Sequence, residues 1–189
     1  MSDGTGITVL GICGSLRRGS FNRSLLRTAI ELKPQTMAIE VADIGQIPLY
    51  NEDVRAAGFP PPVETLRRQI AAADALLFVT PEYNYSMPGV LKNAIDWASR
   101  PPDQPFAGKP AAIMGASPGI GGTMRAQYDL RRSCVFLDMH PINKPEVIVA
   151  GAAQKFDAEG RFTDEMGKGL IRDLLLALEA WTRRIGRKS

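Results

Sequence analysis

Ile7-Thr-Val-Leu-Gly-Ile-Cys13 runs straight into Gly14-Ser-Leu-Arg-Arg-Gly-Ser-Phe-Asn-Arg23. The first segment is short, β-prone and almost continuously apolar, the pattern of a strand buried on both faces. The stretch from Gly14 to Gly19 breaks it. An amphipathic helix then reads from about Phe21 to Leu32, with Leu25, Ala29 and Leu32 on one stripe, and it stops before Pro34. A buried strand, a glycine turn and a helix are the opening of a β-α-β unit.

The same alternation continues along the chain. Ala38–Ala42 reads as a second strand, Ala75–Val79 as a third, Ala111–Met114 as a fourth and Val147–Val149 as a fifth. Between them lie a loop-like stretch over 47–62 and helical stripes on Val63, Leu66 and Ile70, over Gly89–Trp97 and over Thr123–Phe136. A long final helix carries Met166, Leu170, Leu174, Leu178, Trp181 and Ile185 on one face. Five strands alternating with five helices predict an α/β fold, a parallel sheet with helices on both faces. Of the two doubly wound layouts, five units in 189 residues favour the flavodoxin-like order over the Rossmann order. Either order places ligands beyond the carboxyl ends of the strands, so the loops after strands one, three and four are expected to build the site.

Composition narrows the class. With 44% apolar and 23% charged residues the chain is an ordinary globular one, and its length makes one domain over 1–189 the expectation. No run approaches the ~18–20 apolar residues a bilayer demands, so no membrane role is expected. The opening six residues lack a basic leader, which points to the cytoplasm. Cys13 and Cys134 are too few for a disulfide framework, and with His140 as the one histidine no metal site is expected. The bases, net +3, are scattered except for Arg183, Arg184, Arg187 and Lys188, read as a solvated tail; no nucleic-acid partner is expected.

The loop after strand one offers free backbone N–H groups at a helix start, the side chains of Ser15, Ser20 and Asn22, and the charge of Arg17 or Arg18. That set suits a terminal phosphate dianion. The G-x-G-x-x-G turn that usually docks a pyrophosphate is absent. A Walker A loop fails because Ser20 follows Gly19 where lysine belongs. The Cys-x5-Arg loop of small tyrosine phosphatases fails because Gly19 stands sixth after Cys13; the thiol reads as a buried strand end. Gly115-Ala-Ser117-Pro-Gly119 matches G-x-S-x-G, but Pro118 has no N–H for an oxyanion hole. This segment reads instead as a flexible loop that approaches a flat ligand closely. After strand three, Thr80-Pro81-Glu82-Tyr83-Asn84-Tyr85-Ser86-Met87-Pro88 offers aromatic edges, amides and another helix start, suited to a planar heterocycle. Lys92 and Asp96 are spaced as a surface pair.

These motifs, with Ile47-Pro-Leu-Tyr-Asn-Glu-Asp53, Pro88-Gly-Val-Leu-Lys-Asn-Ala-Ile-Asp-Trp97 and Phe106-Ala-Gly-Lys-Pro110, resemble the NADPH-dependent FMN reductase family of flavodoxin-like proteins, in its bacterial quinone, chromate and azo-dye reductase branch. The resemblance covers nearly the whole chain. It implies bound FMN, with the phosphate on Ser15, Arg17, Ser20 and Asn22. The isoalloxazine would be framed by Pro81, Glu82, Tyr83, Asn84 and Tyr85, and Ser117 and Gly119 would close over its pyrimidine end. It implies NADPH or NADH as electron donor and small-molecule acceptors: quinones, azo dyes, flavins or metal oxyanions. From their spacing to the flavin loops, Arg17 and Arg100 are expected to reach the NADPH phosphates. The flavin carries the chemistry, so no protein acid, base or nucleophile is expected to be indispensable. A homodimer or homotetramer is the family habit. In it, the loop Tyr50–Asp53 either covers a partner's flavin or is an ordinary connection, and Arg125, Tyr128 and Glu146 either join dimers or stay isolated. The competing class is a flavodoxin-like electron carrier or regulatory module without its own substrate; carriers are normally acidic, and this chain is not.

Overall fold

The computed structural model describes residues 6–186. The strands are β1 (Ile7–Cys13), β2 (Met37–Ala42), β3 (Ala75–Val79), β4 (Pro110–Ala116), β5 (His140–Pro141) and β6 (Val147–Val149). The helices are α1 (Phe21–Leu32), α2 (Glu52–Ala56), α3 (Pro61–Ala72), α4 (Gly89–Ala98), α5 (Met124–Phe136) and α6 (Glu165–Gly186). All strand pairings are parallel, in the order β2-β1-β3-β4-β5, with β6 also on β4. This is the flavodoxin-like doubly wound sheet. Its fifth position is filled twice: β5 pairs with the start of β4 at Pro110, and β6 with its end at Ala116. The two-residue β5 was not expected; it is too short, and too proline-bound, to show a period.

Strand alternation decides which helix covers which face. Val9, Leu77, Val79, Ala112 and Met114 pack with α1 and α6. Their neighbours Leu10, Ile12, Leu76, Phe78 and Ile113 pack with α3, α4 and α5. Both faces of the central strands are therefore apolar, which is why they read as unbroken runs. Gly11 sits where a Cβ would come within 2.9 Å of Leu26, so its lack of one lets α1 approach β1.

The loop expected over 47–62 contains α2 and the start of α3. Asn51 caps α2 by accepting from the Asp53 N–H at 2.9 Å, and Glu52 and Asp53 favour its dipole. None of its residues is buried, so no apolar stripe announced it. At the other terminus, Arg183 pairs with Glu179 at 2.8 Å and Arg184 lies over the Trp181 ring; both belong to α6 rather than to a solvated tail. Arg187 and Lys188 of that run, and the opening residues 1–5, lie outside the described residues. Among the described residues no helix is long and apolar enough to cross a membrane, and no cluster of potential metal ligands occurs.

Candidate functional site

Three loops leave the carboxyl ends of β1, β3 and β4 and meet around a cavity of about 320 Å³. Ser15, Arg17, Ser20, Asn22, Pro81, Glu82, Tyr83 and Ser117 border it, eight of the residues singled out from sequence. Phe21, Ala116 and Pro118 complete the lining. Asn84, Tyr85 and Gly119 do not line it, although each adjoins a residue that does or stands one beyond it. Arg100 is not brought there. It follows α4, about 15–18 Å along the chain axis from the loop that precedes that helix. Its guanidinium donates to the Asp96 carbonyl at 3.0 Å and to Ser99, and it lies 5.7 Å from the centre of the Tyr50 ring.

The first loop is shaped as an anion cradle. Ser20 caps α1, its Oγ accepting from the Asn22 and Arg23 N–H groups at 3.2 and 3.4 Å. Ser15 and Ser20 are each 5% exposed, so their hydroxyls sit at the floor rather than in bulk water. The Arg17 guanidinium lies 5.9 Å from the centre of the Phe21 ring and has no carboxylate partner among the described residues. A buried hydroxyl pair, a helix start and an uncompensated guanidinium fit a phosphate dianion.

Asn22 borders the cavity and also has a structural partner. Its side-chain amide donates to the Ala116 carbonyl at 2.9 Å, and its Oδ1 accepts the Ala116 N–H at 2.9 Å. β3 ends at Val79, opposite Met114, so Ala116 has no strand neighbour on that side. Asn22 takes the neighbour's place and ties the start of α1 to β4.

The loop after β3 forms a tight hairpin turn. Tyr83 and Ser86 exchange backbone hydrogen bonds of 3.0 and 2.9 Å, with Asn84 and Tyr85 between them at φ 50° and 65°. This is the type I′ pattern, made here without glycine, at a cost of roughly 1–2 kcal/mol for a residue such as tyrosine. Glu82 borders the cavity and reaches α5 with its carboxylate. Its carboxylate accepts the Arg125 and Ala126 N–H groups at 2.9 and 3.1 Å and the Arg125 guanidinium at 3.0 Å, capping α5. Ser86 donates to Asp129, also on α5, and Arg132 pairs with the same carboxylate. The Ser86 hydroxyl and Arg132 hold the Asp129 carboxyl below the usual carboxylate range. Asp129 was missed in the sequence, where nothing marks a residue 43 positions from its partner.

Other expectations resolve plainly. Lys92 and Asp96 form their pair at 2.7 Å. Cys13 is buried, and burial pushes its thiol upward. His140 pairs at the start of β4 and Ser117 follows its end, roughly 20 Å apart, so no serine–histidine dyad exists. Arg125 is engaged with Glu82, and its guanidinium lies 4.0 Å from the Tyr85 ring centre, while Glu146 pairs with Lys144 at 3.1 Å. The Tyr50 loop is clipped to α4: the Asn93 amide and the Trp97 indole both donate to the Pro48 carbonyl at 2.8 Å, and the Tyr50 N–H donates to Asn93 at 2.8 Å.

Residues 7–154 match the model of the NADPH-dependent FMN reductase family. The chain belongs to this family. It is 65% identical over 179 residues to an NAD(P)H-dependent FMN reductase of Pseudomonas aeruginosa, covering 95% of this chain and 97% of that protein. It is 51% identical to an NAD(P)H:quinone oxidoreductase of Solanum tuberosum, covering 92% of each. Among solved structures it is similar to FerB, a flavoenzyme NAD(P)H:(acceptor) oxidoreductase of Paracoccus denitrificans. The TM-score is 0.85 at 36% identity, with 94% of this chain and 98% of that one covered. As a member of the FMN reductase family, this chain is an NAD(P)H-dependent oxidoreductase.

Proposed function

We propose that the cavity holds FMN and that the protein passes electrons from NADPH or NADH to quinone-like, azo, flavin or metal-oxyanion acceptors. One observation carries the reading: an uncompensated Arg17 and the buried hydroxyls of Ser15 and Ser20 share one cavity with Pro81–Tyr83. The donors fit a phosphate, and the β3 loop offers an adjoining surface for a flat ring. The bound flavin supplies the redox chemistry, accepting hydride from the nicotinamide and giving two electrons onward.

The chain's own residues bind and orient. Arg17 neutralises the phosphate, Ser15 and Ser20 donate to it, and Asn22 holds the cradle to β4. The backbone of Pro81, Glu82, Tyr83, Asn84 and Tyr85 frames the ring, and Ser117 and Gly119 border its polar edge. The reading calls for no indispensable side-chain acid or base, since the flavin would carry the chemistry. Donor and acceptor use the same open face in turn, giving ping-pong kinetics. Arg100 and Tyr50 lie outside this chain's cavity, so they reach a nucleotide only across a homodimer, alone or within a homotetramer. The reading includes a cytoplasmic protein.

The test is direct. The purified protein should be yellow, release FMN on heating, and oxidise NADPH with benzoquinone along parallel double-reciprocal lines. A colourless protein that takes up no added FMN overturns the cofactor; a yellow protein reduced only through a separate reductase is a carrier instead.

A further inference from the structure

The turn Tyr83–Ser86 is held at both flanks by one helix. Before the turn, both carboxylate oxygens of Glu82 accept from the first turn of α5. At its end, the Ser86 hydroxyl donates to Asp129, one turn further along α5. Between the flanks, the Arg125 guanidinium lies 4.0 Å from the Tyr85 ring centre. The turn itself is an unfavourable one, with two non-glycine residues at positive φ, and such a conformation persists only where its surroundings over-determine it.

We infer that Asp129 is a positioning residue for the ring-facing turn: acting through Ser86, and opposite Glu82, it fastens Tyr83–Ser86 to α5 so that the turn's backbone meets the isoalloxazine already in shape. The inference rests on the flavin reading above. It assigns to α5 a part in cofactor binding, although neither Asp129 nor Arg132 lines the cavity. It also removes the Glu82 carboxylate from contact with the ring, since that group is occupied and only 9% exposed.

Because the turn serves the ring and not the phosphate, its loosening should cost riboflavin and FMN alike. Flavin fluorescence quenching on apoprotein measures both affinities for wild type, Asp129→Ala, Ser86→Ala and the double variant. Each single variant should bind both flavins about tenfold more weakly, and the double variant no worse than either, since the pair acts as one tie. Asp129→Asn keeps an acceptor for Ser86 and should retain most of the affinity. Arg132→Ala, which removes only the exposed partner of Asp129, should bind as wild type does. The visible circular dichroism of the bound flavin should change in the two alanine variants, a signal that general destabilisation does not move. Wild-type affinity in both alanine variants overturns the inference. So does a loss confined to FMN, which would place the effect at the phosphate. If Asp129→Ala does not fold, Ser86→Ala decides alone. A wild-type chain that binds no FMN overturns the cofactor reading itself, and the inference with it.

Discussion

Asn22→Ala separates a structural staple from a ligand contact. Asn22 and Ala116 are 3% and 1% exposed, and two hydrogen bonds of 2.9 Å join them across the gap left where β3 ends. Truncation leaves the Ala116 N–H and C=O buried and unpaired, at ~1–3 kcal/mol for each group. Allowing for a water that partly replaces the amide, the loss of stability should be ~2–4 kcal/mol. In a chain of this size that corresponds to a melting point lower by roughly 5–15 °C. The assay is urea unfolding of the apoprotein followed by circular dichroism, so that no ligand contributes. Asn22→Asp is the companion variant: it still accepts the Ala116 N–H but sets a carboxylate against the Ala116 carbonyl, and should lose about as much. If apo Asn22→Ala stays within ~0.5 kcal/mol of wild type while FMN affinity falls, the staple is refuted and the side chain serves the phosphate.

Gly115→Ala should cost about 3 kcal/mol or more by the same assay, because its Cβ would fall 2.1 Å from the Thr80 carbonyl and 2.6 Å from the Thr123 hydroxyl, a clash that backbone must absorb. Arg17→Ala should weaken FMN binding by about tenfold or more, with a flatter dependence on salt than wild type, as a titration at two ionic strengths would show. The Asp129 carboxyl is held below its ordinary range by Ser86 and Arg132. Its contribution to stability is therefore full above pH ~4 and is lost as the pH falls through the lower folded value. Asp129→Asn should flatten the acid limb of a urea-midpoint profile taken across that window, and an unchanged limb would refute the assignment. Burial pushes the Cys134 thiol up to about 11 and raises that of Cys13, so neither should react with a disulfide reagent near pH 8 until denaturant is added.

The sheet and its order were legible because the central strands are buried on both faces. α1, β3 and β6 lie within the bounds their apolar runs predict. Helix α2 was not legible, since it buries nothing and rests on one cap at Asn51. The site was legible as loops but not as side-chain roles. Ser15, Arg17 and Ser20 come together in the cavity as near neighbours in the chain, so their local pattern was enough to group them. Asn22 answers to Ala116, and Glu82 to the start of α5. Those partners are 94 and 43 residues away, and no spacing within a motif reveals them.

The divided outer strand has a consequence for chain-to-chain assembly. A continuous seven-residue strand beside β4 would expose a full ladder of peptide groups to any passing extended segment. Here β5 offers two residues and β6 three, with Pro141 supplying no N–H to either side. The opposite border, β2, carries the exposed Glu40 at its middle. Neither rim is a long flat template, so fibrous growth by strand addition is disfavoured at both ends of the sheet.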